Sequence, residues 1–108
     1  MELNYKNVKD FWNERCKRYG HTGYADQLRY AYDQPLRLRA VKRALSHLGI
    51  PADKYTCILD VGCGEGTFVF EFGRKGASVT GIDISSEALK RLRSARKSCA
   101  LRRIFIYW

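Results

Sequence analysis

The chain has 108 residues, enough for one small core, and its 45% hydrophobic and 13% aromatic content is that of a folding sequence rather than a disordered one. Twenty Lys and Arg against eleven Asp and Glu give a formal net charge of +9, which favours acidic partners such as nucleic acid or anionic cofactors. The excess is uneven: residues 1–56 hold eleven basic and six acidic side chains, 57–83 hold two and four, and 84–108 hold seven and one, so the middle of the chain is locally acidic.

No RNA- or DNA-binding motif accompanies the basic excess, and such an excess is more often a solvated face, so nucleic-acid binding is the minority reading. Cys16, Cys57, Cys63 and Cys99 nowhere form a C-x-x-C pair, which speaks against a metal site. The N-terminus is charged and aromatic instead of basic and then apolar, so neither a secretory signal nor a membrane span is expected, and a cytoplasmic setting is the default.

In chain order, Val8, Phe11, Trp12 and Cys16 recur at helical intervals and predict a helix over residues 8–19 that Gly20 stops. Residues 20–33 carry scattered tyrosines and single charges without a period, and read as a loop with at most a turn of helix. Leu38, Val41, Leu45 and Leu48 then form a 3, 4, 3 series, predicting an amphipathic helix over 35–48 with Pro35 in its first turn and Gly49 and Pro51 ending it.

Residues 55–61 are rich in β-formers, too short for a helix and bounded by a glycine-rich turn, as a buried parallel strand would be. A helix over 67–75 ending at Gly76 and a second strand over 77–82 closing on Asp83 follow. Ser85 can cap a further helix that buries Ala88, Leu89, Leu92 and Ala95, with Glu87 at its positive end. Residues 104–108 resemble the start of a third strand. Alternation of strand and helix implies a parallel sheet with right-handed crossovers, hence an α/β fold in which a helical segment over 1–54 precedes the strand-and-helix part over 55–108.

The chemistry is concentrated in Asp60, Gly62, Cys63, Gly64, Glu65 and Gly66, followed by Asp83 at the end of the next strand. Glycines at alternate positions let backbone approach a ligand where a Cβ would collide. A dinucleotide fingerprint, G-x-G-x-x-G, would need its third glycine at position 67, where Thr67 stands. Asp60 and Glu65 would also repel a pyrophosphate drawn to the helix N-terminus. A cationic, phosphate-free ligand fits better.

These residues resemble motif I of the class I S-adenosylmethionine-dependent methyltransferases. The run ILDVGCGEGTFVFEFGRKGASVTGIDISSEALKRL over 58–92 is similar to that family throughout. The resemblance implies S-adenosylmethionine as cofactor, with Gly62, Gly64 and Gly66 passing under its methionine portion and Asp60 helping to hold the site. Asp83 would accept both ribose hydroxyls, and Ile84 would lie against the adenine. Pro35, Leu36, Arg37 and Leu38 resemble a segment of quinone-biosynthesis O-methyltransferases whose arginine approaches the cofactor's carboxylate, while Phe11, Trp12 and Tyr19 resemble a helix that lids such sites.

Cys63 has no neighbouring base and His21 and His47 read as isolated surface histidines, so no nucleophile is assigned. The family has a seven-stranded sheet, of which two strands and the start of a third are recognisable, and residues 98–108 depart from its pattern. The resemblance implies a truncated, Rossmann-like class I methyltransferase fold, with residues 1–54 as a helical cap and 55–108 as a partial S-adenosylmethionine-binding domain, whose acceptor is unreadable. An inactive cofactor-binding piece and a small nucleic-acid binder remain as alternatives, with self-association expected of a sheet whose edge stays open.

Overall fold

A computed structural model describes residues 4–21, 27–99 and 103–107. Helix α1, Tyr5–Tyr19, is capped by Asn4, whose side chain accepts the Asn7 N–H at 2.9 Å. It ends at Gly20 in the left-handed conformation (φ 79°), where the Gly20 N–H returns to the Cys16 carbonyl. Of its apolar stripe, Cys16 is fully buried and Phe11 exposed.

Helix α2 runs Gln27–His47. It begins within the segment expected to be a loop, and Pro35 lies in its interior rather than in its first turn. A mid-helix proline removes the N–H that would bond Ala31 and crowds that carbonyl, at a cost of about 3 kcal/mol. Tertiary contacts offset it: the Gln27 amide donates to the Tyr19 carbonyl, and Tyr30 stacks on His21 with ring centroids 3.8 Å apart. The expected α2 stripe is only partly used, since Leu45 packs on the core while Val41 and Leu48 stay exposed. Lys42 pairs with Glu71 and ties α2 to the next helix; that contact holds the Glu71 carboxyl below its ordinary pKa.

Strands β1 (Cys57–Val61), β2 (Ser78–Ile82) and β3 (Ile104–Tyr107) form a parallel sheet in the order β1-β2-β3. Leu59 sits opposite Thr80 and Thr80 opposite Phe105; Asp60 sits opposite Gly81 and Gly81 opposite Ile106. Side chains alternate across a strand, so this register sorts them into two faces. Ile58, Val79, Ile104 and Ile106 pack against helices α3, Thr67–Arg74, and α4, Ser86–Cys99, around fully buried Val69, Leu89 and Leu92. Each such side chain contributes roughly 1.5–3 kcal/mol on burial. The opposite face, with Leu59, Val61, Phe105 and Tyr107, is exposed among the described residues. Strand β1 is therefore an edge with one bare face, not the buried strand its composition suggests. Ala95 is likewise exposed, so the buried stripe of α4 ends at Leu92.

Candidate functional site

Strands β1 and β2 both deliver their carboxyl ends to one rim of the sheet, the place where open parallel sheets bind ligands. After β1 the chain turns through Gly62, Gly64 and Gly66, with φ of 75°, 55° and 93°. The Gly62 and Cys63 N–H groups both donate to the Ile82 carbonyl, at 2.8 and 3.0 Å, which locks the loop to the end of β2.

Two of these glycines serve different needs. A Cβ on Gly66 would lie 2.1 Å from Leu92 Cδ1, so Gly66 is required by the packing of α3 on α4 and stays outside the cleft wall. A Cβ on Gly62 would meet no protein atom within 4 Å, and Gly62 lines the cleft. The backbone at Gly62 is therefore open to the cleft.

Asp83 follows β2 and spans two loops. Its Oδ2 accepts the Gly64 N–H at 2.8 Å and its Oδ1 accepts the Ser85 N–H at 2.7 Å. Charge-assisted bonds of this kind are worth roughly 1.5–3 kcal/mol each, and each oxygen keeps a lone pair for a further donor. Asp60 lies behind the glycine loop, opposite Gly81, and its Oδ2 is buried with no hydrogen-bond partner among the described residues. Burial, reinforced by the Asp83 charge, pushes the Asp60 carboxyl above its ordinary pKa.

Cys63 is buried, with its Sγ 2.9 Å from where a Cβ on Gly81 would stand. Burial, with the Asp83 and Asp60 charges, pushes its thiol up to about 12, which disfavours the thiolate that nucleophilic chemistry requires. His21 is buried against Tyr30 instead of lying at the surface as expected; both ring nitrogens lack partners among the described residues, and desolvation lowers its pKa. Leaving the imidazole neutral is the less costly state there.

A cleft of about 630 Å³ lies between these loops and the two N-terminal helices. Its walls include Tyr5 and Trp12 from α1, Tyr30, Gln34 and Arg37 from α2, Gly62 to Glu65 from the loop, and Asp83 with Ile84 beyond β2. Arg37, Gly62, Cys63, Gly64, Asp83 and Ile84 thus converge on it, whereas Asp60 and Gly66 stand behind its wall. Tyr30 falls where the sequence showed no helical period. Its hydroxyl donates to Glu65 Oε2 at 3.2 Å, tying α2 to the glycine loop. Among the described residues no His, Cys, Asp and Glu cluster suited to a metal occurs.

The donor set fits a ligand that offers hydroxyls and positive charge: a carboxylate at the rim, an orphaned carboxylate oxygen behind the loop and an open cradle at Gly62. Residues 58–106 match the family model described as a methyltransferase domain. Fold and loop agree with that match: an open parallel sheet with a glycine turn after its first strand, similar over these residues to methyltransferase domains.

Among curated proteins, a ubiquinone biosynthesis O-methyltransferase of Paracidovorax citrulli is 54% identical over 33 residues, which are 31% of this chain and 14% of that protein. The same-named protein of Alkalilimnicola ehrlichii is 46% identical over 56 residues, or 52% of this chain and 21% of that protein. Among solved structures, magnesium protoporphyrin IX methyltransferase from Synechocystis PCC 6803, with bound SAM, aligns with 98% of this chain and 54% of its own at a TM-score of 0.71 and 22% identity, which supports the fold. The chain spans between 13% and 25% of the length of the curated relatives it matches. The family match continues through Ile106, so it takes in all but the last residue of β3 and part of the stretch, 98–108, expected to depart from the family's pattern. No helix among the described residues is long and apolar enough to cross a membrane.

Proposed function

We propose that the cleft holds S-adenosylmethionine, with residues 1–54 as a helical cap and 55–108 as the binding domain, and that the chain supplies the donor-holding part of a methyltransferase. The observation that carries this reading is Asp83, fixed at both oxygens by amides of the Gly64 and Ser85 loops and facing the cleft. Its remaining lone pairs would accept the two ribose hydroxyls, with Ile84 beside the adenine. The Gly62, Cys63 and Gly64 backbone would run under the methionine portion, Asp60 would add negative potential behind it, and Arg37 would meet its carboxylate. Gly66 would act by holding the loop against α4.

The bound cofactor supplies an electrophilic methyl on a sulfonium, whose displacement requires chiefly that acceptor and donor be aligned. This chain's share is therefore positioning. The named relatives make an oxygen acceptor the first choice to assay. The exposed sheet face is expected to bring two copies together, to be checked by light scattering over a concentration series.

Calorimetry with S-adenosylmethionine, its demethylated product S-adenosylhomocysteine, and NAD tests the assignment. Saturable binding of the first two with little or no NAD binding is expected. Tighter binding of NAD would overturn it.

A further inference from the structure

The first-turn amides of a helix have no intrahelical partners. In α4 the task of satisfying them is divided between two side chains far apart in sequence. Ser85 acts as the local cap, its Oγ accepting the Ala88 N–H at 3.2 Å. The Glu87 N–H is taken by Asn13 of α1, whose Oδ1 lies 3.1 Å away. Asn13 Oδ1 also accepts from Ser85 Oγ at 2.9 Å and Ser86 Oγ at 3.4 Å, and Asn13 Nδ2 donates to Ser86 Oγ at 3.2 Å.

These bonds continue into the site. Ser85 is fully buried, and its N–H holds Asp83 Oδ1, while Asp83 Oδ2 holds the Gly64 N–H. An unbroken series of contacts therefore runs from α1 through the start of α4 to the rim carboxylate and the glycine loop. Trp12, beside Asn13, and Tyr5, two helical turns earlier, both face the cleft.

We propose that Asn13 is a positioning residue: it clasps α1 over the cleft and sets the orientation of the Asp83 to Ser85 segment that receives the cofactor's ribose. The inference rests on the proposed cofactor site and adds to it a residue that touches no ligand. Its side chain offers one acceptor oxygen to three donors, so a carboxylate of the same shape keeps most of the clasp, and the positive end of α4 favours the added charge. An apolar side chain of similar size keeps the volume and removes every bond.

The test compares Asn13→Leu and Asn13→Asp in a Trp108→Phe background, where Trp12 is the single tryptophan. Affinity for S-adenosylhomocysteine is measured by calorimetry, Trp12 emission with and without that ligand by fluorescence, and exchange of the Glu87 amide by NMR. Asn13→Leu should weaken binding on the order of tenfold, the scale of a lost helix cap. It should also diminish the Trp12 response and speed Glu87 exchange, while Asn13→Asp binds within about threefold of the parent. Unchanged affinity in Asn13→Leu, with only a lowered melting temperature, would mean that Asn13 merely packs α1 and would overturn the proposal. So would equal Glu87 exchange in parent and Asn13→Leu, a readout that needs no ligand. Failure of the parent itself to bind would instead remove the proposed cofactor site, leaving the clasp to be judged by Glu87 exchange. Should Asn13→Leu not fold, equal affinity and exchange in Asn13→Asp and the parent support the clasp, and a tenfold loss in Asn13→Asp contradicts it.

Discussion

The two faces of the sheet differ more in company than in composition. Val79 and Ile104, on one face, are 1% and 0% exposed beneath α3 and α4; Leu59 and Val61, on the other, are 62% and 71% exposed. Both faces are largely apolar, aliphatic on the covered side and carrying Phe105 and Tyr107 beside the aliphatics on the bare one. The difference teaches that the stability of this sheet resides on one side, while the other side leaves apolar surface uncovered among the described residues.

The largest expected effect comes from the covered face. Leu92→Ala should cost about 2–5 kcal/mol by opening a cavity between α4 and the start of α3, read as a shift in urea midpoint. A double change on the bare face, Leu59→Thr with Val61→Thr, should alter the monomer's stability by no more than about 0.5 kcal/mol and reduce light scattering. Equal losses in the two variants would break the comparison, since they would mean that the bare face is packed in solution.

Next in size, Asp83→Ala should weaken S-adenosylhomocysteine binding by about 1.5–3 kcal/mol, or roughly ten- to 150-fold, checked by calorimetry on protein shown to be folded. Asp83 stands at the rim where the faces meet, so this change should spare the core. Gly62→Ala should act similarly on binding but cost only about 1 kcal/mol in stability, through its left-handed backbone; Gly66→Ala, whose Cβ would strike Leu92, should cost more stability than Gly62→Ala.

The smallest effect sharpens the contrast within the covered face, whose polar exception is Asp60. Its folded pKa is raised above the usual 3.8, so between the two values the native state binds more protons than the unfolded one. Stability from this group is therefore greatest at low pH and declines as pH rises through the folded pKa. Asp60→Asn should remove that decline, measured by urea unfolding between pH 4 and 7, and should leave the protein slightly more stable at neutrality.

The glycine loop and Asp83 were legible in the sequence because a backbone turn with positive φ and a paired carboxylate admit few residue types. Gly62, Gly64, Asp83 and Ile84 all line the cleft. Helix α2 was harder to read, since Pro35 signals a helix start locally and only long-range contacts from Gln27 and Tyr30 carry the helix past it. Strand β1 misled for a different reason: β-forming residues describe a strand without saying whether anything covers it. Asn13 gave no signal at all, because its partners lie 72 to 74 residues away.

Asp83 carries one more consequence, which concerns symmetry rather than charge. A carboxylate presents two equivalent acceptors, and here each receives an amide from a different loop. Asparagine has the same outline but two unlike ends. Whichever way it turns, its NH₂ group confronts either the Gly64 or the Ser85 N–H, donor against donor. Asp83→Asn should therefore lose ligand affinity nearly as far as Asp83→Ala, although Asn is the closer match in shape, because the position requires a group that looks the same from both loops.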